Sequence, residues 1–322
     1  MSDLDIRPTV RECGGRADVT AQPVRELLTG RDMPLGESTV VRRLLPTLGR
    51  RMIGAWCFVD HYGPDDIVDK PGMQVPPHPH TGLQTVSWLR QGEILHNDSL
   101  GSSQVLTPGA LGLMTAGRGI SHSEQTPRSH APLLHGAQLW VALPDEHRHV
   151  APAWEYHQGT PVDHGSGVTS TVILGEFANV TSPGTTYSPL VGVALDVAGG
   201  TSTNLPLERD FEYAALAMHG RVDIDGVPVE PGSLLYLGSG RSRLPVEATH
   251  DGAVMLLGGE PFEEKLLMWW NFIGRTDDEV RRYRDQWQQR DPRFGEVDSY
   301  DGARLSAPPF PDLPLKPRGR TR

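Results

Sequence analysis

The apolar positions of this chain fall in short runs rather than in helical stripes. Thr39 to Leu45, Met52 to Val59, Thr85 to Leu89, Ile94 to Asp98, Ser103 to Leu106, Leu111 to Thr115, Ile120 to Glu124 and His135 to Leu143 read as strands. β-Branched and aromatic residues fill them, and Gly or Pro closes most of them. A second series follows at 169–174, 190–197, 211–218, 221–224, 233–237 and 252–258, with Asp225-Gly226 as a hairpin tip. Glu230-Pro231-Gly232 before the strand at 233 echoes Thr107-Pro108-Gly109 before the strand at 111. The echo suggests two related β-domains. A short helix is expected around Val24 to Leu28. One clear helix is expected late: Thr276-Asp277-Asp278-Glu279 is a capping box, and Val280, Tyr283 and Trp287 form an apolar stripe to about Gln289. The expected fold class is all-β: two antiparallel barrels with a short C-terminal helix. The expected division is an N-terminal extension (1–35), a first barrel (36–145), a linker (146–168), a second barrel (169–262), and a C-terminal strand, helix and Pro-rich tail (263–322).

Composition sharpens this picture. Gly 36 and Pro 28 are together about a fifth of the 322 residues, which suits many strands joined by tight turns. The net charge of −10 disfavours direct nucleic-acid binding. Two cysteines, Cys13 and Cys57, do not make a secreted disulfide framework, so a cytoplasmic location is expected. Cys57 lies in an apolar run and reads as a buried small hydrophobe. The N-terminus shows no basic-then-apolar leader, and no run of about 18 apolar residues suggests a membrane span.

The candidate chemistry sits in two i, i+2 pairs, His78-Pro79-His80 and His122-Ser123-Glu124. Residues two apart on a strand share a face. Two such pairs on facing strands would gather three imidazoles and one carboxylate around a metal. Imidazole and carboxylate suit Fe(II), Mn, Co, Ni, Cu or Zn and do not select strongly among them; Fe(II) is the ion expected first, with the others open. Four protein ligands would leave two positions of an octahedral ion for substrate or dioxygen. The second β-series has no such pair, since His219 and His250 stand alone, so its barrel is expected to lack metal. Alternation from His80 would place Gln84, Val86 and Trp88 on the interior face, provided no bulge intervenes. These three are the pocket candidates, Trp88 as core filling first. His61 and His96 read as turn or surface histidines.

The run His78 to Gly82, Asp98-Ser99-Leu100-Gly101, Pro108-Gly109 and Met114 to Glu124 closely resembles the pirin family of the cupin superfamily. Asp60 to Pro64, Gln138 to Val141 and Leu257 to Pro261 add to the likeness. The resemblance implies a bicupin with one metal in its N-terminal barrel, held by His78, His80, His122 and Glu124. Many cupins carry a Glu four residues after the second His; here that position is Gln84, and the carboxylate duty passes to Glu124. Thr81 stands where the family often has Arg. Pirin-like proteins include quercetin 2,3-dioxygenases, which open a flavonol ring with dioxygen. That implies a small-molecule substrate, with Glu124 as general base. Other members resemble redox-sensing regulators that bind protein partners, the alternative reading.

Overall fold

A computed structural model describes residues 11–13, 23–35 and 39–317. Each half of the chain builds a two-sheet antiparallel barrel. In the first, the large sheet has the order Ala153–Gln158, Ala110–Thr115, Leu83–Gln91, Leu133–Ala142, Trp56–Asp66, Thr39–Leu45, Arg31–Leu35. Its small sheet has the order Gln74–His80, Ile120–Gln125, Ile94–Asp98, Ser103–Leu106. The second barrel repeats the plan, with Leu190–Val197, Gly252–Gly259 and Glu212–His219 central in the large sheet. Thr201–Pro206, Arg243–Ala248, Val222–Ile224 and Val227–Val229 form its small sheet. The Asp225-Gly226 tip takes φ of 51° and 75°, as a tight hairpin of this hand requires.

Three cores follow from alternation on these strands. One lies inside the first barrel and includes Tyr62, Val75, Leu89 and Ile94. A second fills the second barrel with aliphatic side chains such as Val193, Leu195, Leu235 and Leu256. The third joins the outer faces of the two large sheets, with Trp56, Val86, Trp88, Leu216 and Met255. Trp56 crosses that seam, and its indole N–H is shared between the carbonyls of Val191 (3.2 Å) and Gly258 (3.1 Å). Gly192 makes room for it: a Cβ there would meet Trp56 Cζ2 at 2.9 Å.

Several expectations change. The segment around Val24 to Leu28 is no helix; Glu26–Thr29 is a strand paired to Ser233–Gly238 of the second barrel. Leu27 is exposed and Leu28 buried, a two-residue period that an open sheet edge exploits. The strand expected over Met52 to Val59 starts at Trp56, after a turn at Gly54 (φ 51°), and runs to Asp66. It passes through Gly63, where a Cβ would lie 2.0 Å from the Leu134 carbonyl oxygen. Within 146–168, Ala153–Gln158 forms a strand on Ala110–Thr115 of the first barrel. The helix Asp277–Gln288 is capped by Thr276, whose hydroxyl accepts from the Glu279 N–H at 3.2 Å. Glu279 reaches back to the Arg275 N–H (2.7 Å), one residue before the cap. The Pro-rich tail is tied down by Leu305 N–H to Pro77 O (2.8 Å) and Leu315 N–H to Asp277 Oδ1 (2.8 Å).

Candidate metal centre

The strand Gln74–His80 reads Gln-Val-Pro-Pro-His-Pro-His, and it lies at the edge of its sheet. An edge strand tolerates proline, because one row of its N–H groups needs no partner. Its neighbour Ile120–Gln125 sets His122 directly opposite His78 and Ile120 opposite His80. The register then slips: Glu124 lies opposite Val75 rather than Pro76. The extra residue is a bulge, and it keeps Val75 and His78 both facing inward although they are three apart.

The result is a cluster of three imidazoles. His78 and His122 have ring centroids 4.3 Å apart, and His80 lies 5.0 Å from each. All three are fully buried, and one ligand-capable nitrogen from each lies within 4.8 Å of the others. Their Nε2 atoms are buried without hydrogen-bond partners among the described residues. His78 Nδ1 lies 2.8 Å from the Pro76 carbonyl oxygen, so it carries the proton and leaves Nε2 with its lone pair. Burial pushes the His78 imidazole down to about 3 and holds those of His80 and His122 well below the usual histidine range. Neutral imidazole is the form that ligates metal. Leaving buried acceptors unpaired is costly, and a cation at their focus would compensate all three at once. The donor set therefore fits a transition-metal ion.

Glu124 points into the same interior and is 1% exposed. Its Oε1 accepts from the Ser87 hydroxyl at 3.2 Å, but the carboxylate stands outside the 4.8 Å group that the three histidines form. Ser87 Oγ also lies 2.7 Å from Gln138 Oε1, so its single proton serves one acceptor at a time. Trp140 sets its ring edge-to-face with His80 at 5.2 Å and stacks on Phe58 at 4.1 Å. Burial, and then the Glu124 carboxylate, raise the Tyr62 phenol well above its usual range, so it stays protonated.

Gln84, Val86 and Trp88 do not join this cluster. Gln84 Nε2 donates to Thr115 Oγ1 (2.9 Å) and to the Thr185 carbonyl (3.0 Å), while Val86 and Trp88 pack in the seam between the barrels. The parity counted from His80 fails at Gly82, whose φ of 70° turns the chain from the small sheet into the large one. Counting from Ser87 instead gives the interior face. His61 and His96 are buried rather than in turns or on the surface. His61 Nε2 lies 3.0 Å from His135 Nε2, and His96 Nδ1 lies 3.4 Å from His122 Nδ1. Ser87, Gln138 and Trp140 were not among the expected site residues, although Gln138 and Trp140 belong to the family-like run and show the same i, i+2 spacing as the ligand pairs. His219 and His250 are exposed on the second barrel. Among the described residues no helix is long and apolar enough to cross a membrane.

Comparison with known proteins agrees with this architecture. The family described as Pirin matches residues 38–141, and the Pirin C-terminal cupin domain matches residues 192–295. A Pseudomonas aeruginosa protein named "Putative quercetin 2,3-dioxygenase" is 44% identical over 303 residues, covering 94% of this chain and 94% of that protein. A pirin-like protein of Caulobacter vibrioides is 35% identical, over 80% of this chain and 91% of that protein. The crystal structure of quercetin 2,3-dioxygenase from Acinetobacter baumannii superposes with a TM-score of 0.87 at 42% identity. That match covers 91% of this chain and 98% of that one. With both cupin domains matched in order and relatives alike over nearly their whole length, the chain belongs to the pirin family of two-barrel cupins.

Proposed function

We propose that this protein is a metal-dependent dioxygenase acting on a flavonol of the quercetin type or a related enolic aromatic compound. The observation that carries the reading is the trio of buried, neutral imidazoles with unpartnered Nε2 atoms, beside a buried carboxylate. Relatives similar over most of the chain bear the quercetin 2,3-dioxygenase name. His78, His80 and His122 would hold one divalent ion, Fe(II) by first expectation, with Glu124 as the fourth ligand. Bound there, the ion would act as a Lewis acid toward an enol oxygen and leave positions open for substrate and dioxygen.

The remaining chemistry falls to the chain itself. Glu124 takes the proton of the substrate's enolic hydroxyl as general base. Ser87 orients the carboxylate when its hydroxyl turns to Glu124 Oε1 rather than to Gln138 Oε1. Trp140, edge-on to His80, sets an apolar ring beside the imidazoles that suits an aromatic substrate. Tyr62 remains a neutral phenol able to donate to a developing oxyanion. The barrel interior excludes bulk water from these groups.

The test is aerobic incubation of quercetin with protein loaded in turn with Fe(II), Mn, Ni, Co or Cu. Loss of the flavonol absorption band, oxygen uptake and release of carbon monoxide are expected with at least one metal. Glu124→Ala should lower turnover by about 10²–10⁴-fold. Absence of turnover with every metal would overturn the assignment.

A further inference from the structure

His96 is 1% exposed and has three partners. Its ring stacks on Trp154, with centroids 3.6 Å apart and planes within 6°. Its Nε2 lies 3.2 Å from Asp98 Oδ2, and its Nδ1 lies 3.4 Å from His122 Nδ1. Asp98 is itself anchored, because its Oδ1 accepts from the backbone N–H groups of Leu100 (2.8 Å) and Ser102 (3.0 Å).

These contacts determine where each proton sits. An ionised carboxylate only accepts, so the nitrogen of His96 that faces it, Nε2, carries the proton. In the imidazole form with a single N–H, that leaves His96 Nδ1 as an acceptor. The nitrogen of His122 facing that acceptor, Nδ1, must then be the donor. His122 Nε2 is left with its lone pair, and Nε2 is the atom that stands unpartnered in the three-imidazole cluster. The Pro76 carbonyl imposes the same tautomer on His78 by a separate route. We propose that Asp98 and His96 form a positioning relay that makes His122 an Nε2 ligand, and that Trp154 holds the relay's ring plane. This rests on the reading of the three imidazoles as metal ligands. His96 and Asp98 are positioning residues: neither offers an atom to the cluster.

The relay also gives the segment between the barrels a task. Trp154 belongs to the strand Ala153–Gln158, within the stretch expected to be a mere connection. That strand completes the large sheet on Ala110–Thr115 and, through one ring, braces a residue in contact with a ligand.

A purely space-filling His96 predicts the same packing, so the test turns on proton placement. In Asp98→Asn the volume is unchanged. The side-chain oxygen stays with the Leu100 and Ser102 N–H groups, and an NH₂ donor now faces His96 Nε2. His96 answers by moving its proton to Nδ1, which confronts the His122 Nδ1–H. His122 then relaxes to its Nε2–H form, which cannot ligate. Removing such an outer partner typically costs about 10–100-fold in metal affinity.

The experiment is Co(II) binding by chelator competition, together with the visible d–d spectrum of the Co(II) protein. The chains compared are wild type, Asp98→Asn, His96→Leu and His96→Gln. Asp98→Asn and His96→Leu should bind Co(II) about 10–100-fold more weakly with an altered spectrum, while the metal-free melting temperature of Asp98→Asn stays at the wild-type value. His96→Gln, whose amide can accept from His122 and donate to Asp98, should recover most of the affinity. Wild-type affinity and spectrum in Asp98→Asn, or equal weakness of the Leu and Gln variants, would overturn the relay. A wild-type chain that takes up no Co(II) would overturn the metal reading itself, and the relay with it.

Discussion

His61 and His135 make the clearest prediction at the scale of single residues, because they are buried as a pair outside the metal cluster. Burial, then the neighbouring His135, pushes His61 down to about 3; burial, then Arg90, pushes His135 down to about 4. In the unfolded chain both imidazoles take up protons near pH 6.5, at roughly the ordinary histidine value. Between that pH and about 4 the unfolded state binds more protons, so stability falls as pH drops through this window. Urea unfolding at pH 7 and pH 4.5 should show the loss, and a His61→Asn, His135→Asn double variant should show a shallower one. Equal pH slopes for the two chains would contradict the assignment. The residue scale also marks what a sequence can disclose about a site. The histidines were legible because two i, i+2 pairs on strands leave few other arrangements. Ser87 and Trp140 were not, because their facing depends on how the chain turns between sheets, and nothing in the run itself states it.

Among the elements, Gly82 is the joint between the ligand-bearing strand and the large sheet. Its φ is 70°, and a Cβ there would lie 2.4 Å from the Ile273 carbonyl oxygen. Gly82→Ala therefore combines backbone strain with a clash against main chain, and should destabilise by roughly 1–3 kcal/mol or more. Thermal melting of the metal-free variant measures it; an unchanged melting temperature would show that the corner relaxes freely. The same glycine explains why Gln84, Val86 and Trp88 were placed on the wrong face. Strand periodicity was sound on each side of Gly82, and the phase between the two sides was lost. The helix was readable to within a residue, since Thr276 and the Val280, Tyr283, Trp287 stripe are local signals. Glu26–Thr29 was not, because its pairing partner lies some 200 residues away at Ser233–Gly238. The strand Ala153–Gln158 has a signal of its own in the alternation of Trp154 and Tyr156 with Glu155 and His157, although the stretch was expected to be a linker.

The two barrels of the whole molecule share one apolar seam. Trp56 is buried there, with its indole N–H bonded to the second barrel, and Gly54 N–H meets Glu212 Oε1 across the same seam at 2.7 Å. The N-terminal strands tie the halves further, since Arg31–Leu35 adds to the first barrel directly after Glu26–Thr29 adds to the second. Unfolding should therefore be a single cooperative transition, and Trp56→Ala should cost about 3–5 kcal/mol. Two resolved calorimetric transitions in the wild-type chain would contradict a shared core. The pairing of two like barrels also frames the division of labour. The interior of the second is packed with aliphatic side chains, whereas the first sets three imidazoles with unpartnered Nε2 atoms beside Trp140.

That asymmetry makes metal content the most direct measurement. Elemental analysis of the purified wild-type chain, alongside His122→Ala, should find one transition-metal ion per chain in the first and a small fraction of that in the second. Two ions per chain, no transition metal after loading, or an undiminished content in His122→Ala would contradict a single centre built on His78, His80 and His122.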